Sequence, residues 1–127
     1  MNPLQKRIRG SLLAIDGMIE SEGAFGHGQA FWVNGKQVAH FDGSDTIELR
    51  ITRAVFSEHR DRLKGDARVM RHSASSDWID VRFSAGGDVA LVIELAELAA
   101  AAHRAARGTT PKPPPEGADL ARRKRFH

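Results

Sequence analysis

Residues 31–51 read FWVNGKQVAHFDGSDTIELRI, and how this stretch pairs with itself decides the fold. Asn34-Gly35 is a strong two-residue hairpin signal, because both turn positions need positive φ and these residues tolerate it. With those two as the turn, Val33 is set opposite Lys36, Trp32 opposite Gln37, Phe31 opposite Val38 and Gln29 opposite His40. A second turn at Gly43-Ser44-Asp45 returns the chain as TIELRI. It sets Asp42 opposite Thr46, Phe41 opposite Ile47, His40 opposite Glu48 and Val38 opposite Arg50. Side chains alternate across a strand. Ala30, Trp32, Ala39, Phe41, Ile47, Leu49 and Ile51 are therefore expected on a core face, and Gln29, Phe31, Val33, Val38, His40, Asp42, Glu48 and Arg50 on the reverse. A slip of one residue would exchange the two sets.

Upstream, residues 3–20 predict an amphipathic helix, with Leu4, Ile8, Leu12, Ile15 and Ile19 in one stripe and Pro3 in the first turn. GAFGHGQ (23–29) is a glycine-rich connector. Downstream, TRAVFSEHRDRLKG (52–65) predicts a short helix, with Thr52 as N-cap and Gly65 as stop. ARVMRH (67–72) and DWIDVRFS (77–84) predict strands, the second with Ile79, Val81 and Phe83 inward and Trp78, Asp80 and Arg82 outward. Asp88 then offers an N-cap for a last helix over about 89–106. The order α-β-β-β-α-β-β-α predicts an α+β fold: an antiparallel sheet of about five strands with helices packed on one face. Residues 1–108 form the expected single domain, and 109–127, a proline-rich linker and basic tail, are expected to be disordered.

The totals agree with one domain. The chain has 127 residues and is 41% hydrophobic, enough for a single core. No run approaches the ~18 apolar residues of a membrane span. SLLAI, near the N-terminus, is too short for a signal h-region, so the cytoplasm is the expected compartment and no membrane partner is expected. The absence of cysteine excludes disulfide and thiol chemistry. A pI near 9.8 invites a nucleic-acid reading, but the surplus is confined to the tail. Lys112, Arg122, Arg123, Lys124 and Arg125 against Glu116 and Asp119 account for the whole formal charge of +3, leaving residues 1–108 neutral. Contact with nucleic acid is thus expected only through Arg122, Arg123, Lys124 and Arg125.

The outward set His40, Glu48, Arg50, Trp78 and Asp80, with Phe31 beside it, is the candidate binding site. Residues directly opposite each other have Cβ atoms about 5 Å apart, so His40 and Glu48 can hydrogen-bond. A neighbouring carboxylate favours imidazolium. Such a pair suits general acid–base work, or an anionic ligand with Arg50 as a fork-shaped clamp. Polar pairing on a solvated sheet explains the same residues without any ligand, and no residue is assigned a catalytic role. Phe31, Val33 and Val38 make this face more apolar than a bare solvent face, so a helix, a ligand or a second subunit in a homodimer is expected to cover it. No cofactor is expected. No metal is expected either: the six histidines lack H-x-x-x-H spacing, and His40 with Asp42 puts only two ligands on one strand face, where zinc needs three or four. GHGQ (26–29) lacks the lysine and hydroxyl of a phosphate-binding loop.

The segment WVNGKQVAHFDGSDTIELRIT, followed by DWIDV and a helix, resembles the small luciferase-domain family, a domain of unknown function. The matching residues are Gly35, Ala39, His40, Leu49, Arg50, Ile51 and Trp78, and the resemblance spans roughly residues 30–105. Asp42 and Glu48 stand where that family often carries further histidines. The resemblance implies an α+β fold and common ancestry, not light emission, since a flavin-dependent luciferase barrel takes about 250 residues. A second resemblance is to small helix–sheet–helix proteins described as a double-wing DNA-binding fold. The arginine-over-lysine bias, 14 to 5, fits a GC-rich bacterial source. The expected function is a small cytosolic binding or protein-interaction module. The alternatives are a small-molecule binder or enzyme using His40, Glu48 and Arg50, and a nucleic-acid binder aided by the tail.

Overall fold

The computed structural model describes residues 1–24 and 28–125; Gly26 and His27 of GHGQ fall outside them. The predicted hairpin forms, with Asn34 and Gly35 at φ 51° and 75° between β2 (Gln29–Val33) and β3 (Lys36–Phe41). Val33 pairs with Lys36 and Trp32 with Gln37, as the two-residue turn requires. One residue further the register shifts, and Phe31 pairs with Ala39 instead of Val38. This bulge adds a residue to β3, so Val38 and Ala39 both enter the main core and alternation is reset beyond them. Two corrections follow. Phe31 and Val33, expected on the outer face, lie in the core, where the Phe31 and Phe41 rings meet edge to face at 6.2 Å. Ala30 and Trp32, expected in that core, emerge on the opposite side in a separate small cluster. Phe31 accordingly leaves the candidate site.

β4 (Thr46–Arg50) pairs with β3 as expected, with His40 opposite Glu48 and Phe41 opposite Ile47. β5 (Val69–Arg71) and β6 (Trp78–Arg82) continue the sheet, with β6 beside β4 and β5 at the edge. A strand missing from the sequence reading, β1 (Ile19–Glu22), forms the other edge against β2. The sheet is antiparallel and six-stranded, in the order β1-β2-β3-β4-β6-β5.

β1 appears because α1 (Pro3–Leu13) stops early. The chain turns through Gly17 at φ 86°, and Ile19, counted in the helical stripe, becomes an edge-strand residue 46% exposed. Asn2 and Gln5 close a capping box around Pro3 at the start of α1. The helix expected over 52–65 is broken at His59 into α2 (Arg53–Glu58) and α3 (Arg60–Lys64). α4 (Asp88–His103) ends where Arg104 adopts extended ψ 147°. Ile8 and Leu12 of α1, Phe56 of α2, Leu63 of α3, and Val92, Leu95 and Ala96 of α4 bury against Ile47, Leu49, Ile79 and Val81 of the sheet. This is the predicted α+β architecture, with these helices on one face. Among the described residues no helix is long and apolar enough to cross a membrane.

Part of the other face is covered by the chain's own C-terminal segment, which was expected to be disordered. α5 (Gly117–Arg125) lays Leu120 against Trp32, Ala30 and Ala24. Arg123 donates to the Gly35 carbonyl at 2.7 Å, the Lys112 N–H donates to Asn34 Oδ1 at 2.9 Å, and Lys124 pairs with Glu22 at 2.6 Å. Trp32 is left 1% exposed.

Candidate functional site

On this outer face, away from α5, the register builds a polar row across three strands. His40 of β3 stands opposite Glu48 of β4, and Glu48 stands opposite Asp80 of β6. Two pairs along, Arg50 faces Trp78. His72 joins from the other edge: its N–H reaches the Trp78 carbonyl at 3.4 Å, carrying the β5–β6 ladder one residue past Arg71. Two histidine–carboxylate pairs result. His40 Nε2 meets Glu48 Oε2 at 3.0 Å, and His72 Nε2 meets Asp80 Oδ1 at 2.8 Å. The Trp78 ring lies 5.6 Å from the His40 ring and 6.0 Å from the Arg50 guanidinium, so both flank the indole.

Buried Gln37 decides which nitrogen of His40 does what. Its Oε1 accepts the Ala24 N–H at 2.8 Å, which turns its Nε2 toward His40 Nδ1 at 3.1 Å. An amide nitrogen only donates, so Nδ1 accepts and the ring proton sits on Nε2, directed at Glu48. The neutral tautomer fits both partners, in place of the imidazolium that the carboxylate alone suggests. Glu48 is held above the ordinary carboxyl range, first by burial and then by the Asp80 carboxylate, with His72 opposing. Like charges directly opposite across strands oppose each other's ionisation.

Of the residues expected at the site, the structure brings His40, Glu48, Arg50, Trp78 and Asp80 together on one face. His72 and Gln37 were missed. Reading HSASSDW as the loop of a hairpin would have set His72 opposite Trp78, because Arg71 pairs with Ile79. Gln37 gave no such signal, since its partner Ala24 comes from a loop remote along the chain. The expectation of too few metal ligands counted along one strand. Across strands, one ligand atom from each of Glu48, His72 and Asp80 lies within 4.8 Å of the others.

A groove of about 670 Å³ opens elsewhere, lined by Thr52, Arg53, Arg60, Lys64 and Arg71 with Asp77. Asp77 already accepts the Arg53 N–H at 2.9 Å, so the start of α2 is occupied by the protein's own carboxylate. Thr52 there takes φ 77°, which a β-branched residue rarely adopts. The basic run is also partly spent internally: Arg122 pairs with Asp119, while Arg123 and Lys124 fasten α5 to the sheet. No family model matches the chain, and neither a curated protein nor a solved structure matches it.

Proposed function

We propose that the protein is a small non-catalytic binding module that takes its ligand on the outer face of the sheet, at the polar row beside Trp78. The observation that carries this reading is the row His40–Glu48–Asp80–His72, set by strand register beside an indole flanked by Arg50. Trp78 offers flat apolar area, the carboxylates accept hydrogen bonds, and Arg50 adds a cation. A binding role is favoured over catalysis by the state of His40. Gln37 engages its Nδ1 and Glu48 its Nε2, so the imidazole has no spare lone pair to accept a substrate's proton. The apolar motive for a homodimer through this face is reduced to Trp78, because Phe31, Val33 and Val38 are core residues. Nucleic-acid binding loses support for a related reason, since Arg123 and Lys124 already have partners in the fold. A cytosolic location and kinship with the luciferase-domain family belong to the same proposal, the latter on Gly35, Ala39, His40, Leu49, Arg50, Ile51 and Trp78.

The test is an NMR titration of the full chain with a panel of small amines, carboxylates and aromatic fragments. The expected result is a saturable response in the Trp78 indole N–H together with the amides of residues 40, 48, 50 and 80. Responses confined to the Thr52–Arg71 groove, or no saturable response, would overturn the reading.

A further inference from the structure

The outer face holds a second kind of chemistry. Glu48 and Asp80 are directly opposed on adjacent strands, and His72 stands at the edge strand's end with its Nε2 2.8 Å from Asp80 Oδ1. One donor atom from each of the three lies within 4.8 Å of the other two. Donors that share a divalent ion at bonds of about 2.0–2.2 Å sit roughly 3–4.4 Å apart, so closing this triangle takes only small rotamer adjustments. Those adjustments are available, because the His72 and Asp80 side chains are 36% and 25% exposed. The backbone beneath them is a paired sheet. Behind the triangle, His40 donates Nε2–H to Glu48 Oε2, and Gln37 holds His40 in turn. A carboxylate has two oxygens, so Glu48 can accept from His40 with one and ligate with the other. Such outer partners orient ligands in metal sites.

We propose that Glu48, His72 and Asp80 form a binding site for a divalent first-row transition-metal ion, with the remaining coordination positions open. One imidazole nitrogen and two carboxylates suit zinc or manganese better than calcium, which prefers oxygen alone. Three protein ligands leave room for water or for a ligand donor atom. This inference rests on the reading that the outer sheet face is the binding surface.

The probe is zinc chloride titrated into the full chain in a non-chelating buffer, read by calorimetry and by the imidazole ¹⁵N resonances. One saturable site is expected, with the His72 ring responding and the His59 ring unchanged. His72→Ala and Asp80→Asn should each weaken binding at least tenfold, while His59→Ala should leave it unchanged; circular dichroism checks that each variant is folded. Two independent variants guard against one of them failing to fold. Equal affinity in wild type, His72→Ala and Asp80→Asn, or weak heat spread over several histidines, would overturn the site. The fragment titration repeated in EDTA separates the two readings. Trp78 responses that persist while zinc fails remove the metal alone; zinc binding with no fragment response keeps the metal site and removes the small-molecule module.

Discussion

Gln37 is the residue on which the site's chemistry turns, although its buried amide touches no expected ligand. It satisfies the Ala24 N–H and sets the His40 tautomer. Gln37→Leu keeps similar bulk but leaves a buried N–H unpaired, so a loss of about 1–3 kcal/mol is expected in urea denaturation. The His40 ring ¹⁵N shifts should report a changed tautomer mixture at the same time. Glu48 gives a pH signature. Its folded-state pKa is raised, so ionising it costs the folded protein: stability is fuller below the unfolded value of about 4.3 and declines as pH rises through the folded pKa. In EDTA, Glu48→Gln should be more stable than wild type at pH 7.5, with the gap closing by about pH 4; a constant gap would contradict this. Asp88 runs the other way. The N–H of Ser84 first, then Arg68 and the N–H of Ala85, lower its carboxyl to about 2. Stability from Asp88 is present above its unfolded pKa of about 3.9 and is lost as pH falls toward 2. Asp88→Ala should therefore cost on the order of 1 kcal/mol at pH 7 and little at pH 2, as read by thermal melts. At this scale the His40–Glu48 pairing was legible in the sequence, because both strands flank one short turn. Gln37 was not, because its role depends on a loop folding over it.

Among the elements, the bulge in β3 and helix α5 changed the picture most. A regular hairpin would place Phe31 and Val33 on the face of His40; one extra residue at Val38 places them on the core face, where Phe31 meets Phe41. Composition carries no sign of this. The sheet accepts the bulge because it buries Phe31, Val33 and Val38 together beneath the helices. The price on the reverse is an exposed Trp32 unless something covers it, and α5 does so with Leu120. Removal of residues 109–127 should therefore shift the Trp32 indole resonance, leave that of Trp78 in place, and lower stability by about 2 kcal/mol. Leu120→Asp should reproduce the spectral change with the tail still present. An unmoved Trp32 signal in both would mean that α5 is not docked in solution. Proline and charge content made this segment look like a disordered linker, and that reading takes no account of a tryptophan elsewhere needing a cover.

For the molecule as a whole, the order β1-β2-β3-β4-β6-β5 puts β3 and β4 in the middle, paired on both sides and backed by α4. Hydrogen exchange should be slowest in β3 and β4 and faster at the edges β1 and β5, with α5 opening before the sheet. The same central position makes the polar row rigid, since His40 and Glu48 ride on the two best-supported strands while Asp80 and His72 approach from the edge side. A site assembled this way has its geometry held by strand pairing.

Local spacing was enough to determine the α+β class, both turns, the three strands on which the row stands, and the shared face of His40, Glu48, Arg50, Trp78 and Asp80. Each of these depends on alternation and on turn residues close together in the chain. Tertiary structure alone decided which side Phe31 and Trp32 take, that residues 117–125 dock, and that Gln37 belongs to the site. Those outcomes depend on how the chain buries apolar area and satisfies polar groups between segments far apart in sequence, and no local pattern records that balance.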